Sequence, residues 1–188
     1  MIEIDFSIAR AGIISDQFLL RDITTYKEAA AYASRLFYGR NANKNELVTV
    51  FTDNCGTCST KHALLKLLAE EQAFSGLKLM AGIFKMNRHN TPAVACTLVQ
   101  YRLDYIPEAH CYLRYNGAIF DYTFSSSQLD FADDLLEEQE IEPQQIADWK
   151  IVYHKAFIGK WLVGNPQIQY SPDELWVIRE QCIRDIES

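Results

Sequence analysis

The chain has 188 residues, 48% of them hydrophobic and 23% charged, with a formal net charge of -7. That is enough for one domain, residues 1–188, with a substantial core in an ordinary globular balance. The acidic balance works against a surface built on phosphate contacts, so no nucleic-acid partner is expected, and it speaks against docking on anionic membranes.

No apolar run is long enough to span a bilayer. The opening MIEIDFSIARAGIISDQ has neither a basic region nor a small-residue cleavage site. A soluble, cytoplasmic chain is the expectation. The five cysteines are then reduced thiols rather than a disulfide framework.

Residues Ile2 to Ile8 alternate apolar and polar and predict a short strand. Thr24 or Thr25 can cap a helix through YKEAAAYASRLFYG that stops near Gly39, with Tyr26, Ala29, Ala30, Ala33 and Phe37 on one side. A polar loop follows. LVTVF then reads as apolar and extended, leading into the polar TDN. A second helix begins near Cys58 and carries Leu64, Leu67 and Leu68 as its buried stripe. Ser75-Gly76 ends it, and LKLMAGIFKM predicts a strand.

Thr91-Pro92 fits the cap and first position of a short helix. HCYLRY-NG-AIFDYTF is the clearest local signal: two alternating runs flank Asn116-Gly117, the preferred pair for a type I′ turn. An acidic helix is expected from Ser127 to Glu140, and a further strand over WKIVYHKAF. Ser171-Pro172-Asp173-Glu174 has cap, proline and acidic first turn in order, so the chain ends in a helix.

Cys58 carries the most chemistry. A cysteine in the first turn of a helix sits among free backbone N–H groups at the positive dipole end. That setting favours the thiolate, and the same N–H groups can donate to an oxyanion during acyl transfer. Gly56 gives backbone freedom ahead of it. Cys96, Cys111 and Cys182 sit in apolar patterns and read as inert buried thiols, while Cys55 stays open.

With Asn116-Gly117 as the loop, Tyr115 pairs with Ala118 and Tyr112 with Asp121. His110, Tyr112, Arg114, Ile119, Asp121 and Thr123 then share one face. His110 and Asp121 are diagonal neighbours, close enough for the carboxylate to orient the imidazole and the imidazole to take the proton of Cys58. A register slip of one residue would separate them. Asn54, Thr57 and Tyr112 are candidates for contacting substrate or its oxyanion. For Tyr112 and Arg114, plain strand surface is the simpler reading.

The order of helix, G-x-C at a helix start, strand, His on one strand and Asp on the next resembles the transglutaminase-like core, a branch of the papain-like thiol enzymes. The residues that carry it are Gly56-Thr57-Cys58 with Ala63-Leu64-Leu65, Gly82, His110 and Asp121-Tyr122-Thr123, spanning about Thr24 to Phe124. Cys55-Gly56-Thr57-Cys58 is also similar to the C-G-S-C segment of papain, whose histidine lies much further downstream than His110.

The resemblance implies an α+β fold with helices on a mostly antiparallel sheet. Cys58 would be the nucleophile, His110 the general base and acid, and Asp121 the orienting group. Implied too are a peptide, protein or small amide substrate, no cofactor and no metal. The chain departs from the family in Cys111-Tyr112 after the histidine and in Tyr122, where proline is frequent.

Three rivals compete. Cys55-x-x-Cys58 has redox spacing but no cis-proline segment is evident downstream. A zinc site from Cys55, Cys58 and two of His62, His110 and Cys111 lacks a second ligand pair at recognisable spacing, and His62 reads as a solvated or capping residue. A non-catalytic peptide- or protein-binding module with a vestigial triad would show an occluded Cys58.

Overall fold

The computed structural model describes residues 2–125 and 131–187. Among them the helices are α1 (Ile13–Leu19), α2 (Tyr26–Arg35), α3 (Thr49–Thr52), α4 (Cys58–Glu71), α5 (Ala95–Gln100), α6 (Asp148–Gly164) and α7 (Pro172–Glu187). The strands are β1 (Lys78–Asn87), β2 (Tyr105–Tyr115), β3 (Ala118–Phe120) and β4 (Leu135–Ile141). They form one four-stranded antiparallel sheet of order β3-β2-β1-β4, so the class is α+β. No helix among the described residues is long and apolar enough to cross a membrane.

The chain falls into two compact units. The first is Met1–Ala81, Cys111–Ser127 and Gln139–Ala147; the second is Gly82–His110, Gln128–Glu138 and Asp148–Ser188.

In the first unit α4 is the hub, packed by α1, α2, α3 and the 3-10 turn Pro143–Ile146. Every residue from Cys58 to Leu65 is buried, so this helix is enclosed all round rather than along one stripe. Leu64, Leu65 and Leu68 are fully buried, each burial contributing roughly 1.5–3 kcal/mol. Leu67, expected inside, is half-buried.

Helix α2 starts as its sequence predicts. Thr25 accepts from the Glu28 N–H at 3.3 Å, and the Glu28 carboxylate accepts the Thr25 N–H at 3.0 Å. It stops at Arg35 instead of running to Gly39. Phe37 lies outside it, 79% exposed, in a parallel bridge to Cys55.

The hairpin has the predicted register as far as β3 runs, with Tyr115 facing Ala118, Arg114 facing Ile119 and Leu113 facing Phe120, but β3 ends at Phe120, so the expected pairing of Tyr112 with Asp121 does not form. Asn116 and Gly117 both have positive φ, 48° and 83°, as a type I′ turn demands. The expected polar face of β2 is absent: Cys111, Tyr112 and Leu113 are all fully buried, so this inner strand is covered on both sides.

The second unit centres on a buried ion pair. Arg179 of α7 donates from Nε to Glu108 of β2 at 2.7 Å and from a second guanidinium nitrogen to the other carboxylate oxygen. Burial alone would push the Glu108 carboxyl up, but the Arg179 charge overrides it and holds the pKa at about 2. Arg179 also lies over the Trp176 ring. His154 of α6 packs edge-on against Trp176 and bonds the Pro107 carbonyl through Nε2 at 2.8 Å. Ser171 and Glu174 cap α7 reciprocally, as their order predicts.

Five further local expectations differ. Residues 2–8 form no strand, because Ser7 finds only a single bridge, to Thr25, before α2 begins. LVTVF ends in the one-turn helix α3, which buries Val50 and Phe51 together. The acidic helix is instead a 3-10 turn and β4; residues 127–130 of that expectation lie outside the described set. Leu135 and Ile141 anchor an edge strand whose Glu137, Glu138 and Glu140 face water, with Glu140 bonded to Lys78 at 2.7 Å. WKIVYHKAF is helical because His154, Ile158 and Trp161 are buried at helical spacing, although Trp149, Ile151 and Tyr153 also alternate. Cys96 is exposed on α5 rather than buried.

Candidate functional site around Cys58

Four residues precede α4 in a tightly held loop. Asn54 carries it through a positive φ of 51° and is exposed. The Asn41 amide donates to the Cys55 carbonyl at 2.9 Å, the Thr60 hydroxyl donates to Asn41 Oδ1 at 2.7 Å, and the Thr57 N–H donates to Thr60 Oγ1 at 3.0 Å. Gly56 has an ordinary φ, so its contribution is room rather than freedom. A Cβ there would sit 3.0 Å from both Lys61 Cγ and Thr60 Oγ1.

Cys58 is the first residue of α4, as its sequence predicts, and is 5% exposed. Thr57 caps the helix with its backbone, but its hydroxyl is buried and has no hydrogen-bond partner. An orphan buried hydroxyl costs about 1–3 kcal/mol of desolvation unless a ligand satisfies it.

Sequence reasoning passed over Lys61 and read His62 as a solvated or capping residue. His62 is fully buried, not solvated. Its Nε2 receives the Tyr122 N–H at 2.7 Å, and its Nδ1 lies 2.7 Å from the Cys58 carbonyl. A backbone N–H can only donate, so Nε2 is the acceptor and the ring proton sits on Nδ1, donated to Cys58. The ring is therefore neutral, and the 3.5 Å approach of Nε2 to Asp121 Oδ1 is a close contact rather than an ion pair.

Lys61 is also fully buried, and its ammonium donates to the Leu36 and Thr123 carbonyls, each at 2.7 Å. Burial drives its pKa down to about 8 against the opposing pull of Cys58, Asp121 and Cys55. Two adjacent helix residues thus clamp the Asp121-Tyr122-Thr123 segment onto the helix that starts with Cys58. Asp121 Oδ1 in turn accepts from the Thr123 N–H at 2.9 Å and the Thr123 hydroxyl at 2.5 Å.

His110 lies in the second unit, 7% exposed, its ring centroid 4.9 Å from that of Phe131 and 6.0 Å from that of Phe84. Tyr112 is fully buried, which distinguishes it from the strand surface expected for it.

Cys55 is half-buried, and burial together with the Asp53 charge pushes its thiol pKa up, the reverse of what an attacking redox thiol needs. Among the described residues no three His, Cys, Asp or Glu side chains are grouped so as to hold a metal ion. Comparison with family models, with curated proteins and with solved structures returned no match.

Proposed function

We propose that the chain is a thiol-dependent acyl transferase or hydrolase of transglutaminase-like type, acting on an amide or peptide bond through Cys58, His110 and Asp121. The observation that carries this reading is the position of Cys58 in the first turn of a 14-residue helix to which the Asp121 segment is bound.

In this reading the Cys58 thiolate attacks the carbonyl carbon and a C–S bond forms. The oxyanion is held by backbone N–H groups at the start of α4, with the partnerless Thr57 hydroxyl as a further donor. The C–N bond breaks, and the leaving amine takes a proton from the His110 imidazolium, which Asp121 orients. Water or a second amine then adds to the thioester, gives its proton to His110 and releases Cys58 as thiolate. No cofactor enters these steps.

The burial of Cys58 favours a second reading, a peptide- or protein-binding module that has lost catalysis. Iodoacetamide labelling across pH, with the modified cysteine located by mass spectrometry, separates the two. Selective labelling of Cys58 well below the pKa of a free thiol, lost in His110→Ala, supports the enzyme. Labelling no faster than that of the other thiols, and indifferent to His110, removes it in favour of the binding module.

A further inference from the structure

The proposed nucleophile has a buried cation in its own helix. Lys61 follows Cys58 by three residues, so the two are neighbours on one face of α4. Helical side chains lean toward the N-terminus, which sends the Lys61 stem back over the first turn. Its path is visible at Gly56: Lys61 Cγ and Cε lie 3.0 and 3.7 Å from where a Cβ on that residue would be. The amine ends on the Leu36 and Thr123 carbonyls, beside the turn that carries Asp121.

Two neutral carbonyls orient an ammonium ion without cancelling its charge, and a fully buried charge needs an anion. The titratable groups that act on it are Cys58 from its own helix, Asp121 from the segment after β3 and Cys55 from the loop before α4, while the Phe124 ring centroid lies 5.9 Å away.

Resting on the reading of Cys58 as nucleophile, we propose that the Lys61 ammonium, and not an imidazole alone, is the cation that holds the Cys58 sulfur as a thiolate. Lys61 is then a positioning and charge-pairing residue of the thiol site. A residue that only joined two carbonyls would be indifferent to the charge on Cys58. A pair is coupled in both directions, so each member must move the titration of the other.

Two measurements on the full chain decide this. The first is the pH profile of iodoacetamide labelling at Cys58 in wild type, Lys61→Met and His110→Ala. Folded Lys61→Met should label Cys58 about tenfold more slowly at neutral pH, as one decade of lost thiolate requires. The second needs no change at Lys61: its side-chain resonances are followed by NMR against pH in wild type and Cys58→Ser. The Lys61 midpoint should fall when the thiolate is gone, because an opposing charge has been removed.

An unmoved Lys61 midpoint in Cys58→Ser, or a folded Lys61→Met that labels like wild type, overturns the proposal. If His110→Ala alone slows labelling, the enzyme reading stands and this one falls. If wild-type Cys58 labels like an ordinary thiol, both fall together.

Discussion

The backbone N–H of Tyr122 donates to Nε2 of His62 over 2.7 Å, so one imidazole carries a hydrogen bond from the segment after β3 and passes another to the Cys58 carbonyl. His62→Ala would leave both backbone groups without this partner inside the protein and open a cavity. The expected cost is about 2–4 kcal/mol in urea unfolding. Nitrogen-15 NMR of the native chain should find the Nδ1–H tautomer at His62. A cost below about 0.5 kcal/mol, or the opposite tautomer, would refute the arrangement.

Lys61 gives a pH signature in stability. Its pKa is lowered from 10.5 to about 8 in the folded chain, so between those values the unfolded state binds more protons. Stability therefore rises with pH across that window, and below about 8 the full cost of the buried ammonium is present. Urea titrations from neutral to alkaline pH should show wild type gaining on Lys61→Met by at least about 1 kcal/mol. Parallel curves would show that Lys61 titrates as it does in the unfolded chain.

The Glu108–Arg179 pair predicts behaviour in acid. Its folded pKa near 2 lies below the ordinary 4.5, so its contribution is complete above the higher value and is lost as pH falls through the lower. Arg179→Met should cost about 3–5 kcal/mol at neutral pH by leaving a buried carboxylate unpaired. Replacing both partners by Gln and Met should cost much less and flatten acid denaturation between those two values. Equal losses in the single and double variants would contradict this account.

The α1 cap joins residues distant in sequence. The Glu71 carboxylate accepts the N–H of Ile14 at 2.9 Å and of Ser15 at 2.6 Å, and a Cβ on Gly12 would fall 2.3 Å from that carboxylate. Gly12→Ala and Glu71→Ala should each cost about 1–2 kcal/mol, since each removes the same cap. The double variant should lose little more than either one, in thermal or urea unfolding. Simple additivity would show that the two act separately.

Thr57→Val separates stability from chemistry. Removing a buried, partnerless hydroxyl should leave stability unchanged or raise it by up to about 1 kcal/mol. Iodoacetamide labelling builds no oxyanion and should be unaffected. Acylation of Cys58 by an activated ester should slow by about tenfold or more. A variant that acylates at the wild-type rate would free Thr57 of that role.

What could be read in the chain beforehand was whatever local chemistry decides. Thr25 with Glu28, Ser171 with Glu174, and Asn116 with Gly117 each set a boundary within a few residues, and the structure keeps all three. Helix α1 escaped notice because its cap arrives from Glu71, 56 and 57 residues downstream. β4 is rich in glutamate and is a strand only because β1 offers it an edge. At the site, Cys58 was legible from the G-x-C helix start. Lys61 and His62 were not, because polar residues on a helix read as its wet face, and only the full enclosure of α4 turns them inward.

The shortness of β3 divides the amide protons of this region between two cooperative systems. The strand ends at Phe120, so its ladder with β2 stops there, and the amide two residues on, that of Tyr122, is held by a helix side chain. In hydrogen exchange, Phe120 would follow the opening of the hairpin while Tyr122 followed the release of α4. Three residues that the sheet leaves unused thus act as a reporter of whether the helix carrying the thiol is seated.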